Sequence, residues 1–488
     1  MNRLAILFAG FLAGCQSLWG NLDIPNPDNC VSNPTLCLAD EVCDLQEQIC
    51  HPALALYAVT PKSVPTSGSG SVKLLGERFL EGIQVEWQGT AISDVKLVSS
   101  TELTFTLPMA QQSSWWTPIT VRNPTGHSVR RDDLFSYYSE SLSFVPSHVY
   151  TAQNPRRMAV GDWNQDGRMD VVYTSGSEAV LVLLPGKGDG TLRPAEFTSI
   201  GTSTQRPQDV LAIHADGDSN LDLIVAVLDG LQTLRGDGKG GLVPGPTMST
   251  GTRPSLIALV RQPDNDPRTL VVADTIDRTL SVVGLRKDGS YDKPQVMATG
   301  IFATELSTGD ITGDGFDEVF VMDSPLLRVY KRNGLGGYSD EVLPTPGCTA
   351  QGMSVADLNL DGRLDLVVSC AKGLLTFLNQ AGTLVPGTLL VSTRSAASHL
   401  LATDLSGDGW PDIVFGDTVA QSTFALLADR QGGYLPPTLV TMNSADSLVN
   451  PSIYLASDFD GDHKPDLVVG NSAASNPIKV LIATNRSP

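Results

Sequence analysis

The sequence predicts an all-β chain: a seven-bladed β-propeller over residues 141–488, preceded by a β-sandwich over 57–138 and a small disulfide-rich segment over 30–50. Three observations predict it. A nine-residue aspartate-rich loop recurs seven times, the apolar residues fall in short runs between turn clusters fed by 46 Gly and 31 Pro, and no long stretch has the period of an amphipathic helix. At 488 residues the chain is too long for one ordinary core, so two or more domains are expected. The balance of 53 acidic against 33 basic residues gives a formal charge of -20, which argues against nucleic acid and favours cations as partners.

Met1 to Gly14 has a basic start at Arg3, an apolar stretch from Leu4 to Ala13 and small residues before Cys15, the layout of a secretory signal. It is too short for a permanent membrane span. The run Leu12-Ala13-Gly14-Cys15 resembles the bacterial lipobox, which implies cleavage before Cys15 and a lipid on its sulfur, with residues 15–29 as the linker that follows. Gln16, in place of an Asp after the cysteine, favours the outer membrane or cell surface.

The seven cysteines less the lipidated one leave six, an even number suited to an oxidising compartment. Cys30, Cys37, Cys43 and Cys50 crowd into a stretch with little to build a core, where two disulfides in any of three pairings would staple it. A four-cysteine zinc site is the rival, without the CxxC spacing of zinc knuckles. Cys348 and Cys370 flank one of the repeats and are placed to bridge adjacent strands.

Between Tyr57 and Tyr138, short strands with turn punctuation (Val72–Leu75, Ile83–Trp87, Leu103–Leu107, Ile119–Val121) predict the sandwich. Thr60-Pro61, Gly68, Gly70, Gly76, Phe79, Leu107-Pro108, Asn123, Gly126 and Phe135 carry a resemblance to the IPT/TIG family of immunoglobulin-like domains, which implies a spacer or an interaction domain. Trp115 and Trp116 lie in a predicted loop.

The repeated loop is clearest in Asp357-Leu358-Asn359-Leu360-Asp361-Gly362-Arg363-Leu364-Asp365. The seven copies begin at Asp162, His214, Arg261, Asp310, Asp357, Asp404 and Asp458, at separations of 52, 47, 49, 47, 47 and 54 residues, and each lies between two apolar strands. A third strand and, in six units, a Gly-rich turn leading to a fourth complete a propeller blade. Unit seven stops after its third strand, Ile478 to Ala483, so the segment Ser141–Val145 is expected to supply the missing strand and remove an exposed sheet edge. Over residues 141–488 the pattern closely resembles the FG-GAP/VCBS family, which includes the propeller of integrin α chains.

Calcium takes six to eight oxygen ligands in flexible geometry, and side chains at positions 1, 3, 5 and 9 of a tight loop, with a backbone carbonyl, supply most of them, with Gly at position 6 turning the chain. Unit one (Asp162, Asn164, Asp166, Asp170) and unit five (Asp357, Asn359, Asp361, Asp365) are complete, and unit six (Asp404, Ser406, Asp408, Asp412) substitutes a hydroxyl. Unit four (Asp310, Thr312, Asp314, Glu318) and unit seven (Asp458, Asp460, Asp462, Asp466, with His463 at the glycine position) are further sites. Unit two is weaker, since His214 stands beside Asp216, Asp218 and Asp222, and unit three (Arg261, Pro263, Asn265, Thr269) is expected to be empty.

Several Ca²⁺ ions are thus the expected cofactors, and an extracellular protein or glycan is the expected partner of a recognition or adhesion module. The six His residues form no HExxH motif and no Gly-x-Ser-x-Gly elbow occurs, so an enzyme is not expected. A glycan-active enzyme using the propeller face and a structural subunit of an envelope complex are the alternatives. Arg235-Gly236-Asp237 lies in a Gly-rich turn and reads as part of that turn.

Overall fold

The computed structural model describes residues 41–43, 50–110, 117–151, 154–200, 206–262, 268–323, 325–333, 337–345, 350–370, 373–390, 399–417, 420, 422–440, 451–471 and 479–487, and among them there is no helix. Cys30, Cys37, Cys348, Trp115, Trp116, Pro263 and Asn265 lie outside the described residues, as does Cys15. In the N-terminal segment, Glu41–Cys43 pairs with Cys50–Pro52 in a register that sets Cys43 opposite Cys50. Cys370 is fully buried at the end of a blade strand.

The chain divides into two compact units. The first is a sandwich of two four-stranded sheets, one holding Ser71–Glu77 and Glu102–Thr106, the other Gln84–Trp87 and Ile119–Arg122. Alternation along Ser71–Glu77 buries Val72 and Leu74 and leaves Ser71, Lys73 and Glu77 exposed, as a half-buried strand requires. Trp87 meets Phe105 edge to face at 5.4 Å between ring centres.

The second unit holds seven four-stranded antiparallel sheets, and its blades follow the seven units of the sequence. Unit five shows the pattern: Ala350–Ala356, Asp365–Cys370, Gly373–Gln380 and Thr383–Leu389 pair in order. Second strands such as Asp365–Cys370 and Asp170–Ser175 are buried along their whole length, because both faces pack against neighbouring blades. That is why they read as unbroken apolar runs. Each pair of adjacent blades encloses its own apolar cluster, including the pair formed by units seven and one.

First strands touch first strands around the ring, and Pro451–Ser457 of unit seven meets Pro155–Gly161 of unit one. Unit seven is completed from the other end of the propeller: Phe144–Thr151 pairs with Lys479–Asn485, from Phe144 opposite Asn485 to Thr151 opposite Lys479. Just upstream, Ser136–Tyr138 pairs in parallel with Ser63–Pro65, and both belong to the unit of the blades.

Candidate functional site

Each first strand ends in its acidic loop, so antiparallel pairing sets all these loops at the same end of the blades. The loops share a backbone form. Position 4 is left-handed in six units, whether the residue is Gly217, Gly313, Gly407 and Gly461 or Gln165 and Leu360. Position 6 is left-handed too, at Gly167, Gly315, Gly362 and Gly409, and His463 adopts φ 65 at the same place in unit seven. An L side chain tolerates that conformation at a small steric cost, so the histidine does not unmake the loop.

Position 1 organises the turn. In unit five, Asp357 Oδ1 accepts from Asp361 N at 3.1 Å and Oδ2 from Gly362 N at 2.8 Å, while Asn359 Oδ1 also accepts from Asp361 N at 3.0 Å. Unit one repeats these bonds with Asp162 and Asn164 around Asp166 N and Gly167 N. Asp310, Asp404 and Asp458 likewise accept from the position 6 amides of Gly315, Gly409 and His463. Position 5 caps the next turn, as Asp166, Asp314, Asp361, Asp408 and Asp462 each accept from the amide two residues on.

Position 9 has a role beyond a ligand. Asp365 Oδ2 accepts from Leu358 N at 3.0 Å inside the loop, and Oδ1 accepts from Asn379 N at 2.7 Å at the end of the third strand. Asp170 joins Trp163 N to Gly186 N, Asp222 joins Ala215 N to Gly236 N, Asp412 joins Leu405 N to Ala428 N, and Asp466 joins Phe459 N to Asn485 N. All five carboxylates are buried. The longer Glu318 of unit four binds Ile311 N and the Thr312 hydroxyl.

Units two and seven bring their carboxylates closest. Oxygens of Asp216, Asp218 and Asp222 lie within 4.8 Å of one another, as do those of Asp458, Asp460 and Asp462. Units one, five and six have Asn164, Asn359 and Ser406 at position 3, so fewer carboxylates crowd there. His214 in unit two turns away from a position 1 role and its Nδ1 lies 2.8 Å from Asn220 O, while Arg235 Nε stands 3.3 Å from Asp216. In unit seven Arg486 Nη2 lies 2.8 Å from Asp460, and Lys464 Nζ donates to Ser487 O. Sequence reading missed Arg486, whose place just past the last strand gives no hint of its partner. Unit three ties itself to unit four, where Arg261 N donates to Asp317 Oδ2 at 2.9 Å, and within unit three Gln262 Nε2 donates to the Thr269 hydroxyl.

The donor set is carboxylate, amide and hydroxyl oxygen, which suits a hard cation such as Ca²⁺. Electrostatics agree. Burial lifts Asp170 to about 6, Asp408 to about 6 and Asp466 to about 7, from an ordinary 3.8; the backbone amides restrain the rise and neighbouring carboxylates add to it. Between the ordinary and the raised values the folded chain keeps protons that the unfolded chain releases, so the metal-free loops lose stability as pH rises through that window. A calcium ion would bind the deprotonated groups. Its addition is therefore expected to raise the melting temperature more at about pH 7.5 than at about pH 5, measured by thermal melts of metal-stripped protein. An equal rise at both values would show that these carboxylates are not ligands.

The FG-GAP-like repeat model matches residues 162–225, 310–368 and 357–415, and the IPT/TIG domain model matches residues 54–137. No curated protein matches the chain. Among solved structures, two of BBS1N in complex with ARL6DN, soaked with mercury and with lead, share 11% and 12% identity. They cover 71% of this chain and 98% of their own, with TM-scores of 0.51 and 0.50. An Agrocybe aegerita lectin that recognises non-reducing terminal N-acetylglucosamine has 16% identity and a TM-score of 0.45, covering 76% of this chain and 94% of its own.

Proposed function

The chain carries FG-GAP-like repeats and an IPT/TIG domain, and from that premise we propose that it is a calcium-stabilised recognition module for an extracellular protein or glycan. The observation that carries this is the recurrence of one oxygen-rich loop, with one backbone form, at the same end of successive blades. Ions held there stiffen the ends of a closed scaffold, which then presents the remaining loops to a ligand without ordering cost. The proposed role is binding without catalysis. Export and acylation of Cys15 would place the module on the outer membrane or cell surface, and mass spectrometry of the mature N-terminus tests that placement.

The binding role is tested by an array of glycans and extracellular proteins probed with the mature chain, with calcium and with chelator. Specific binding that weakens in chelator is the expected result, and an array silent in both conditions would overturn the proposal. Calcium dependence has its own variant. An ion at about 100 times its dissociation constant stabilises the fold by about 2.7 kcal/mol per site. Asp361→Ala should reduce the calcium-induced rise in melting temperature and leave the metal-free melt nearly unchanged, since Asp361 is half-exposed and bonds mainly within its own turn.

A further inference from the structure

The opposite end of the blades has a different chemistry. First strands begin there, roughly 20 Å from the acidic loops given the rise of about 3.3 Å per residue over seven-residue strands such as Pro155–Gly161. A cavity of 480 Å³ opens among these strand starts, lined by residues of units one, two, three, four, six and seven. Its size falls in the range of small-molecule sites. In a chain of formal charge -20, the basic side chains that line it among the described residues are Arg156, Arg157 and His399, with no carboxylate among them.

Arg157 and His399 are held from behind. Arg157 Nη2 lies 3.4 Å from Glu305 Oε2 and its Nε 3.9 Å from Asp209 Oδ1, while His399 Nε2 lies 2.9 Å from Glu305 Oε1 and 3.1 Å from Arg157 Nη1. Neither Glu305 nor Asp209 lines the cavity. Burial works to raise Glu305, but Arg157 and His399 outweigh it and hold the carboxyl below its ordinary value. Asp209 Oδ2 also accepts from Ile257 N at 2.8 Å. Two other nearby carboxylates are likewise engaged: Asp274 accepts from Arg253 N, and Asp323 accepts from Phe302 N and pairs with Arg328.

Arg156 differs. Among the described residues its side chain has one partner, Gln208 Oε1 at 2.6 Å, and no carboxylate. Partial burial and the like charges of Arg253, Arg206 and Arg157 all bear against its own charge. Around it the cavity offers the amide of Asn154 and the half-exposed ring of Phe302. The Ser255 and Thr304 hydroxyls donate to Ala273 O and Met322 O, which leaves their lone pairs as acceptors. The wall is therefore that of a hydroxyl-rich ligand, with one uncompensated guanidinium.

Resting on the recognition role, we propose that this cavity binds a carboxylate-bearing sugar, with Arg156 pairing the carboxylate and the Arg157–Glu305–His399 group acting as its fixed polar floor. One uncompensated lining charge favours a monoanion over phosphate. A guanidinium fork matches a planar carboxylate.

The test is calorimetric titration of the mature chain, in calcium, with D-glucuronate, D-glucose and inorganic phosphate, alongside Arg156→Ala. Glucuronate should bind at least tenfold more tightly than the other two, and Arg156→Ala should weaken it by about tenfold to a hundredfold with an unchanged melting temperature. The site is refuted by the absence of saturable glucuronate binding, by equal affinity for phosphate, or by affinity that survives Arg156→Ala. An array ligand that wild type and Arg156→Ala bind equally removes this site and keeps the recognition role, whereas a silent array removes that role.

Discussion

Asp365→Ala should destabilise the propeller by about 2–6 kcal/mol whether or not calcium is present, because it leaves two buried backbone donors unmatched at about 1–3 kcal/mol each. Those donors are Leu358 N and Asn379 N, and the carboxylate that joins them has no solvent exposure. Water cannot easily take its place. Denaturant unfolding in calcium and in chelator separates this effect from that of Asp361→Ala, which should appear in calcium alone. Asp365→Asn offers one acceptor oxygen and turns an N–H₂ toward the other donor, so it should recover only a fraction of the loss. If Asp365→Ala lost stability in calcium but not in chelator, position 9 would be a ligand first and a clasp second.

Replacing residues 144–151 by a Gly/Ser linker of equal length should cost the protein its cooperative unfolding and drive it to aggregate. The strand Lys479–Asn485 would lose its outer partner along its full length, leaving a seven-residue row of unpaired backbone groups. Phe144 would also leave the apolar cluster between units six and seven. Size-exclusion chromatography and thermal melts read both consequences. A monomeric variant with a wild-type melt would mean that the ring holds without its outer strand. The complementary change is a cross-link between Val145 and Thr484, which face each other in register. A disulfide in a Val145→Cys, Thr484→Cys variant closes nearly the whole propeller and should add about 2–4 kcal/mol that reductant removes.

Much of this architecture is legible in the sequence because it repeats locally. Period, loop and strand order lie within each unit of about 50 residues, and unit seven's missing strand shows as a simple shortfall. What escapes the sequence depends on partners outside the repeated loop itself. The second bond of Asp365 goes to Asn379, the charge on Asp460 meets Arg486, and Glu305 meets Arg157 and His399 across the ring. Position 4 is only half legible: Gly217, Gly313, Gly407 and Gly461 mark it in four units, but Gln165 and Leu360 adopt the same left-handed backbone and mask the rule. His214 at the first position marks unit two as the weaker loop in the sequence, while the structure brings oxygens of Asp216, Asp218 and Asp222 within 4.8 Å of one another.

The segment leading into the ring has a mechanical consequence. Ser136 Oγ donates to Gly407 O at 2.8 Å and Ser139 N donates to Ser406 O at 2.8 Å, and Arg430 lies 4.1 Å above the Tyr138 ring. A pull arriving along the chain from its N-terminal side therefore meets the acidic turn of unit six before it reaches Phe144–Thr151. That strand lies antiparallel to Lys479–Asn485, with its N-terminal end opposite Asn485. Traction on that end runs along the strand, so the ladder bonds are loaded together in shear and do not open singly like a zipper. The strand that closes the circle is thus also the first blade strand that a pull from the N-terminal side would load.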